Sequence, residues 1–201
     1  MVFSNWRNRE ELTLIKPVLF VLSAPSGTGK STLIQRVRLV LPDIFYSVSC
    51  TTRPPRQGEV DSIDYHFLNK QKFQEMIDNQ GFLEWKLVHG SMYGTPYKPI
   101  VDALGNGARC LLDIDVQGAF EAFRKIRNSV GVFVKPPNLE VLEERIRRRG
   151  LDSEESIKIR MKNSRKELKD GEKFPYQIVN DDLERATSEL IEIIRKESEI
   201  S

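Results

Sequence analysis

Ser23-Ala24-Pro25-Ser26-Gly27-Thr28-Gly29-Lys30-Ser31-Thr32 is the stretch that decides the fold. It follows the apolar run Val18-Leu19-Phe20-Val21-Leu22. It precedes Leu33, Ile34, Val37, Val40 and Leu41, which recur at helical spacing until Pro42. Strand, glycine-rich turn and helix in that order make a phosphate-binding loop. Gly27 and Gly29 let the backbone turn tightly and aim N–H groups at phosphate oxygens. The helix start adds donors and a favourable dipole. Lys30 supplies a point charge, and the Ser31 hydroxyl suits a Mg²⁺ ligand. Ala24 replaces the glycine of the strict pattern, which a negative φ at that residue would permit.

Working outward, Tyr46-Ser47-Val48-Ser49-Cys50 alternates as one strand would. Two prolines and a glycine make Thr52 to Glu59 a loop, which carries Arg53 and Arg56. A short helix is expected around Phe73, Met76 and Ile77, closed by Gly81, and a strand at Phe82-Leu83-Glu84-Trp85. Arg109 to Asp115 reads as an apolar strand ending in Asp113 and Asp115. The C-terminal ends of parallel strands face the ligand crevice, which puts both acids beside the phosphate loop. Gly131-Val132-Phe133-Val134 is a further strand. One helix is expected from Asn138 to Gly150, and another from Asp152 with Glu155 completing a capping box. Tyr176 to Val179 reads as the last strand, and Leu183 to Ile194 as an amphipathic helix. Strands alternating with helices imply an α/β fold: a P-loop core with a mostly parallel sheet flanked by helices.

The chain's 201 residues suffice for one buried core with small inserted lobes. A net charge of +2 gives no argument for a nucleic-acid or membrane partner. Cys50 and Cys110 have neither metal nor redox spacing, and no apolar run reaches membrane-spanning length. A cytoplasmic enzyme is the expectation.

Arg53, Arg56 and Tyr65 suit a phosphate monoester, since guanidinium forks match phosphate oxygens. A pocket glutamate at Glu84 could accept N1–H and the amino group of guanine together, an edge adenine does not offer. Several blocks in order carry a wider resemblance: Ser49-Cys-Thr-Thr-Arg-Pro-Pro-Arg-Gln-Gly-Glu-Val60, Asp64-Tyr-His-Phe67, Phe82-Leu-Glu-Trp85, Tyr93-Gly-Thr95, Leu112-Asp-Ile-Asp-Val-Gln-Gly118 and Val179-Asn-Asp-Asp182. From about Pro17 to about Lys196 the chain resembles the guanylate kinases. The resemblance implies a core, a GMP-binding lobe over about residues 49–98 and a helical lid over about 138–170. Residues 1–16 would form an N-terminal extension. It also implies transfer of the γ-phosphoryl group of ATP to GMP, and to dGMP, with Mg²⁺.

By position, the resemblance assigns Ser49, Glu84 and Thr95 to guanine, with Asp115 close to the base. Arg53, Arg56, Tyr65 and Tyr93 would clamp the GMP phosphate. Residues Ala24, Pro25, Ser26, Gly27, Thr28, Gly29, Lys30, Ser31 and Thr32 would hold ATP phosphates, with Asn180 near the adenine end. Ser31 and Asp113 would serve the metal. Arg145, Arg149 and Arg160 would be lid and hinge arginines acting in catalysis with Lys30 and Arg53. Arg147 and Arg148 are expected on a solvated helix face. Departures from the family pattern are Ala24, Asn138 after the proline pair, and the basic stretch Asn163-Ser164-Arg165-Lys166. Two other readings remain at this level: a kinase for another small phosphate monoester, and a non-catalytic module that binds phosphopeptides. The intact Gly29-Lys30-Ser31 opposes the second.

Overall fold

The computed structural model describes residues 16–88, 90–148 and 153–199. The first strand, β1 (Leu19–Ser23), is buried throughout. Its side chains alternate between two cores, as a period of two requires. Val18, Phe20 and Leu22 join Leu33, Ile34 and Val37 of α1 (Lys30–Val40) and Ala186, Leu190 and Ile194 of α7 (Leu183–Ser198). Leu19 and Val21 face the other way, onto Ile100 of α3 (Tyr97–Gly105) and Val116, Ala119 and Ala122 of α4 (Val116–Lys125). Helices on both faces explain why β1 is apolar at every position.

The remaining core strands are β2 (Phe45–Tyr46), β7 (Cys110–Asp113), β8 (Ser129–Lys135) and β9 (Tyr176–Val179). They give the order β2-β7-β1-β8-β9 with every pairing parallel. Leu22 pairs with Asp113, so the phosphate loop and the end of β7 emerge side by side.

A second, four-stranded sheet has the order β4-β3-β6-β5. Its strands are β3 (Cys50–Thr51), β4 (His66–Phe67), β5 (Phe82–Val88) and β6 (Ser91–Pro96). Helix α2 (Lys70–Asp78) packs on it through Phe73, which stacks on Phe82 at 4.4 Å between centroids. A third cluster joins Leu142 and Ile146 of α5 (Leu139–Arg148) to Ile157 and Met161 of α6 (Glu154–Gly171).

The structure corrects several sequence expectations. The stretch 46–50 is not one strand, because Tyr46 pairs with β7 and Cys50 pairs with β4 and β6. Ser47 to Ser49 carry the chain from one sheet to the other. Asp115 is not a strand end: its side chain accepts the Gly118 N–H and caps α4. The cap of α6 is Ser153, accepting from Ser156, whereas Asp152 lies outside the described residues. Helices α3 and α4 carry weak local signals, since Pro99 and Gly118 interrupt their patterns. Cys50 and Cys110 are buried free thiols, pushed by burial up to about 11 and about 12. Among the described residues no helix is long and apolar enough to cross a membrane.

Candidate active site

The loop between β1 and α1 forms the first part of the site. Gly27 and Gly29 have φ of +95° and +93°, a region that L side chains rarely adopt. At Gly29 a Cβ would also stand 2.7 Å from Asn180 Nδ2. Ala24 is not among the positive-φ residues, so alanine fits where the pattern has glycine. Thr28 closes the turn: its N–H and its hydroxyl both donate to Pro25 O, at 3.2 and 2.6 Å. Gly29 caps α1 without a side chain, and no acid stands in the first turn. The N–H groups there suit an anion. Lys30 Nζ donates to Ile114 O at 3.3 Å and pairs with Asp113 Oδ1 at 2.6 Å.

Other elements close on this loop. Asn180 Nδ2 donates to Thr28 O at 2.7 Å. Arg145 donates to Thr28 O at 3.3 Å and to Asn180 O at 3.2 Å. Arg160 donates to Ser26 Oγ at 2.9 Å. Arg148 departs from expectation: it lines a cleft with Gly27, Gly29, Thr32, Arg145 and Asn180. Its place three residues after Arg145 gives the two a common helix face. Arg147 is on the solvated face, paired with Glu143 at 2.8 Å and also with Glu154. Arg149 lies outside the described residues.

The second part is a cavity lined by Lys30, Ser49, Tyr65, Glu84, Lys86, Tyr93, Gly94 and Asp113 to Asp115. Thr95 stands behind it, donating its hydroxyl to Glu84 Oε1 at 2.6 Å. Glu84 is only 7% exposed. Burial raises its pKa, Thr95 and Lys86 pull it back, and Asp115 and Glu121 push it up. For Asp115 burial also acts upward, but Lys86, the Gly118 N–H and Lys30 outweigh it and the carboxyl is held below its ordinary range. Two neighbouring carboxylates thus differ in how firmly they hold a proton.

Arg53 is not among the cavity-lining residues but lies against the ring of Tyr65, which is. Glu59 takes its fork at 2.9 and 2.8 Å, and its guanidinium carbon lies 5.6 Å from the centre of the Tyr65 ring. Tyr65 meets Tyr93 edge-on at 6.0 Å. Arg56 is not among the cavity-lining residues; it is exposed in the loop, where its N–H donates to Glu59 Oε2 at 2.7 Å. Glu59, Lys86 and Glu167 were not anticipated. Lys86 has a legible signal, because it shares a strand face with Glu84 two residues earlier. Glu167 lines the phosphate-loop cleft from α6, and burial raises its pKa. Only tertiary packing brings that helix to the loop.

The oxygen groups near Lys30 fit a small hard cation. Asp113 is a half-exposed carboxylate and Ser31 a hydroxyl on the phosphate-loop cleft. No cluster of three or more metal-ligating side chains occurs among the described residues.

Comparisons with known proteins point to one family. The family model described as guanylate kinase matches residues 16–197. The guanylate kinase of Carboxydothermus hydrogenoformans is 44% identical over 182 residues, covering 90% of this chain and 89% of its own. That of Nitratidesulfovibrio vulgaris is 49% identical over 173 residues, covering 86% and 84%. The crystal structure of guanylate kinase from Anaplasma phagocytophilum superposes with a TM-score of 0.72 at 33% identity, covering 90% of this chain and 86% of that one.

Proposed function

The chain belongs to the guanylate kinase family and is a kinase that phosphorylates GMP with ATP to give GDP; from that premise we propose which residues do the work. The observation that carries the assignment is that Lys30 of the phosphate loop and the buried Glu84 line one cavity. A group bound against Glu84 is thereby within the same enclosure as the phosphate lysine.

In this reading Glu84, supported by Thr95, accepts the paired donors of guanine, with Ser49 and Asp115 beside the base. Arg53, Tyr65 and Tyr93 hold the GMP phosphate, and Arg56 joins them from its exposed loop. Residues 24–32, with Arg145, Arg149 and Asn180, hold ATP. The sheet β3–β6 and α2, about residues 49–98, form the acceptor lobe, and α5 and α6, about 138–170, form the lid. Residues 1–16 stand as an extension before this domain.

The attacking atom is a phosphate oxygen of GMP, already anionic near neutral pH, so no general base is needed. The chain's task is to align two phosphates and offset their repulsion. Lys30, Arg53, Arg145 and Arg160 would bring positive charge to the transfer path, and Arg149 shares that role by the resemblance alone. Mg²⁺ would be held by Ser31 and by Asp113, directly or through water, and would supply positive charge against the reacting phosphates. The buried thiols suit a reducing compartment, and a cytoplasmic setting belongs to the same proposal.

Steady-state ADP formation with GMP, dGMP, AMP, CMP, UMP and dTMP tests the reading. Turnover confined to GMP and dGMP is expected; comparable turnover of AMP would overturn the role of Glu84. ATP consumption also separates this reading from a phosphopeptide-binding module.

A further inference from the structure

Lys86 follows Glu84 by two residues on β5, so both side chains leave the same strand face. Both line the acceptor cavity. From there the Lys86 ammonium donates to Asp115 Oδ2, while Asp115 Oδ1 accepts the Gly118 N–H at 2.8 Å. The Asp115 carboxylate is therefore gripped at both oxygens. Glu84 is its close neighbour, since a Cβ on Gly118 would stand 3.0 Å from Glu84 Oε2. Both carboxylates meet at the first turn of α4. Guanine presents N1–H and two hydrogens on its 2-amino group. Glu84 can take N1–H and one amino hydrogen in parallel; the other amino hydrogen needs a separate acceptor of fixed direction.

Resting on the reading of this cavity as a guanine pocket, we propose that Lys86 is a positioning residue. It holds Asp115 as acceptor for the remaining amino hydrogen and so sets the preference for GMP over a purine monophosphate without that group. Its charge matters as well as its geometry. The charged groups facing the two carboxylates are Lys86 on β5, Lys30 on α1, Asp113 at the end of β7, Glu121 on α4 and Glu167 on α6. The hydroxyls of Thr95, Tyr65 and Tyr93 complete the surroundings. Lys30 is already paired with Asp113. Lys86 is thus the cation in direct contact with Asp115, where it offsets the repulsion from Glu84.

The test compares Lys86→Met, which keeps the stem, with Lys86→Arg, which keeps charge and donors. Both are assayed with GMP and IMP as acceptors. Lys86→Met is expected to raise KM for GMP about tenfold, the scale of losing a charged hydrogen bond. KM for ATP should stay near that of the unmodified protein. The GMP-to-IMP ratio of kcat/KM should fall, and Lys86→Arg should restore it. An unchanged ratio in Lys86→Met overturns the proposal, as does an equal loss on both acceptors. If the unmodified protein does not phosphorylate GMP, the guanine pocket itself is refuted, whatever Lys86 does.

Discussion

Burial raises the affinity of the Glu84 carboxyl for a proton, and the Thr95 hydroxyl at 2.6 Å offsets part of that rise. The folded value therefore lies above the unfolded one, taken as 4.5. The stabilisation this gives the ligand-free protein is complete below 4.5 and is lost as pH rises through the raised value. Guanine donors favour the ionised form, so GMP binding releases a proton in that window. We expect kcat/KM for GMP to fall on the acid side at a higher pH than an ordinary glutamate would give. Glu84→Gln should remove the Glu84 contribution to that limb and raise the melting temperature of the ligand-free protein at neutral pH. Its mispaired amide should raise KM for GMP about tenfold to a hundredfold. Unchanged GMP affinity in calorimetry would refute the role. Lys30→Ala belongs to the same scale. It should lower kcat by about 10²–10³, the usual loss for one stabilising donor, while GMP binding is largely kept. Near-native turnover would show that the phosphate loop is not the ATP site.

Helix α4 connects local structure to selectivity. Its cap, Asp115, faces the acceptor cavity, and its third residue, Gly118, touches Glu84. Gly118→Ala improves intrinsic helix propensity by about 1 kcal/mol. The new Cβ, however, would stand 3.0 to 3.1 Å from three atoms of the Glu84 side chain. Glu84 must shift, and Thr95 resists the shift. We expect little loss of melting temperature but about a tenfold rise in KM for GMP, because small misplacements at a binding group are costly. Native GMP kinetics would show that the pocket tolerates the displacement. Helix α6 offers a contrast, since its Ser153 cap faces solvent. Ser153→Ala should cost about 1 kcal/mol of stability in denaturant titration and leave base selectivity unchanged.

At the scale of the molecule, three packing units meet around the phosphate loop. The parallel sheet carries Lys30 and Asp113, the second sheet carries Glu84 and Lys86, and α5 with α6 carries Arg145 and Arg160. Arg145 and Arg160 already contact the loop. Arg53, on the second sheet's side, is held by Glu59. Transfer to GMP instead of water requires the reacting phosphates to be enclosed. We therefore expect an analogue joining the two nucleotides to compact the protein, with movement centred near Gly81, Pro96 and the Pro136-Pro137 pair. Small-angle scattering measures this, and identical radii of gyration with and without the analogue would count against it. Arg160→Ala should lower kcat more than it raises KM for GMP, since its contribution grows as charge spreads in the transition state. A rise in KM alone would mark it as a ground-state contact.

The sequence by itself determined the phosphate loop and the parallel core around it, and it singled out Glu84, Tyr65 and Tyr93, which line one cavity with Lys30. Those features rest on local pattern: an apolar strand, two glycines before a lysine, and breaker-rich loops carrying arginines. Periodicity also foretold the buried face of α7, and the topology of adjacent parallel strands put Asp113 beside the phosphate loop. Only the tertiary structure decided that the stretch 46–50 divides between two sheets, since its own alternation cannot say which strand supplies hydrogen-bond partners. It also made Asp115 a helix cap, set Lys86 on Asp115 and brought Glu167 to the phosphate loop. Each of these depends on a partner far away in the chain. A charged side chain in isolation reads as solvated until packing supplies its partner and removes its water.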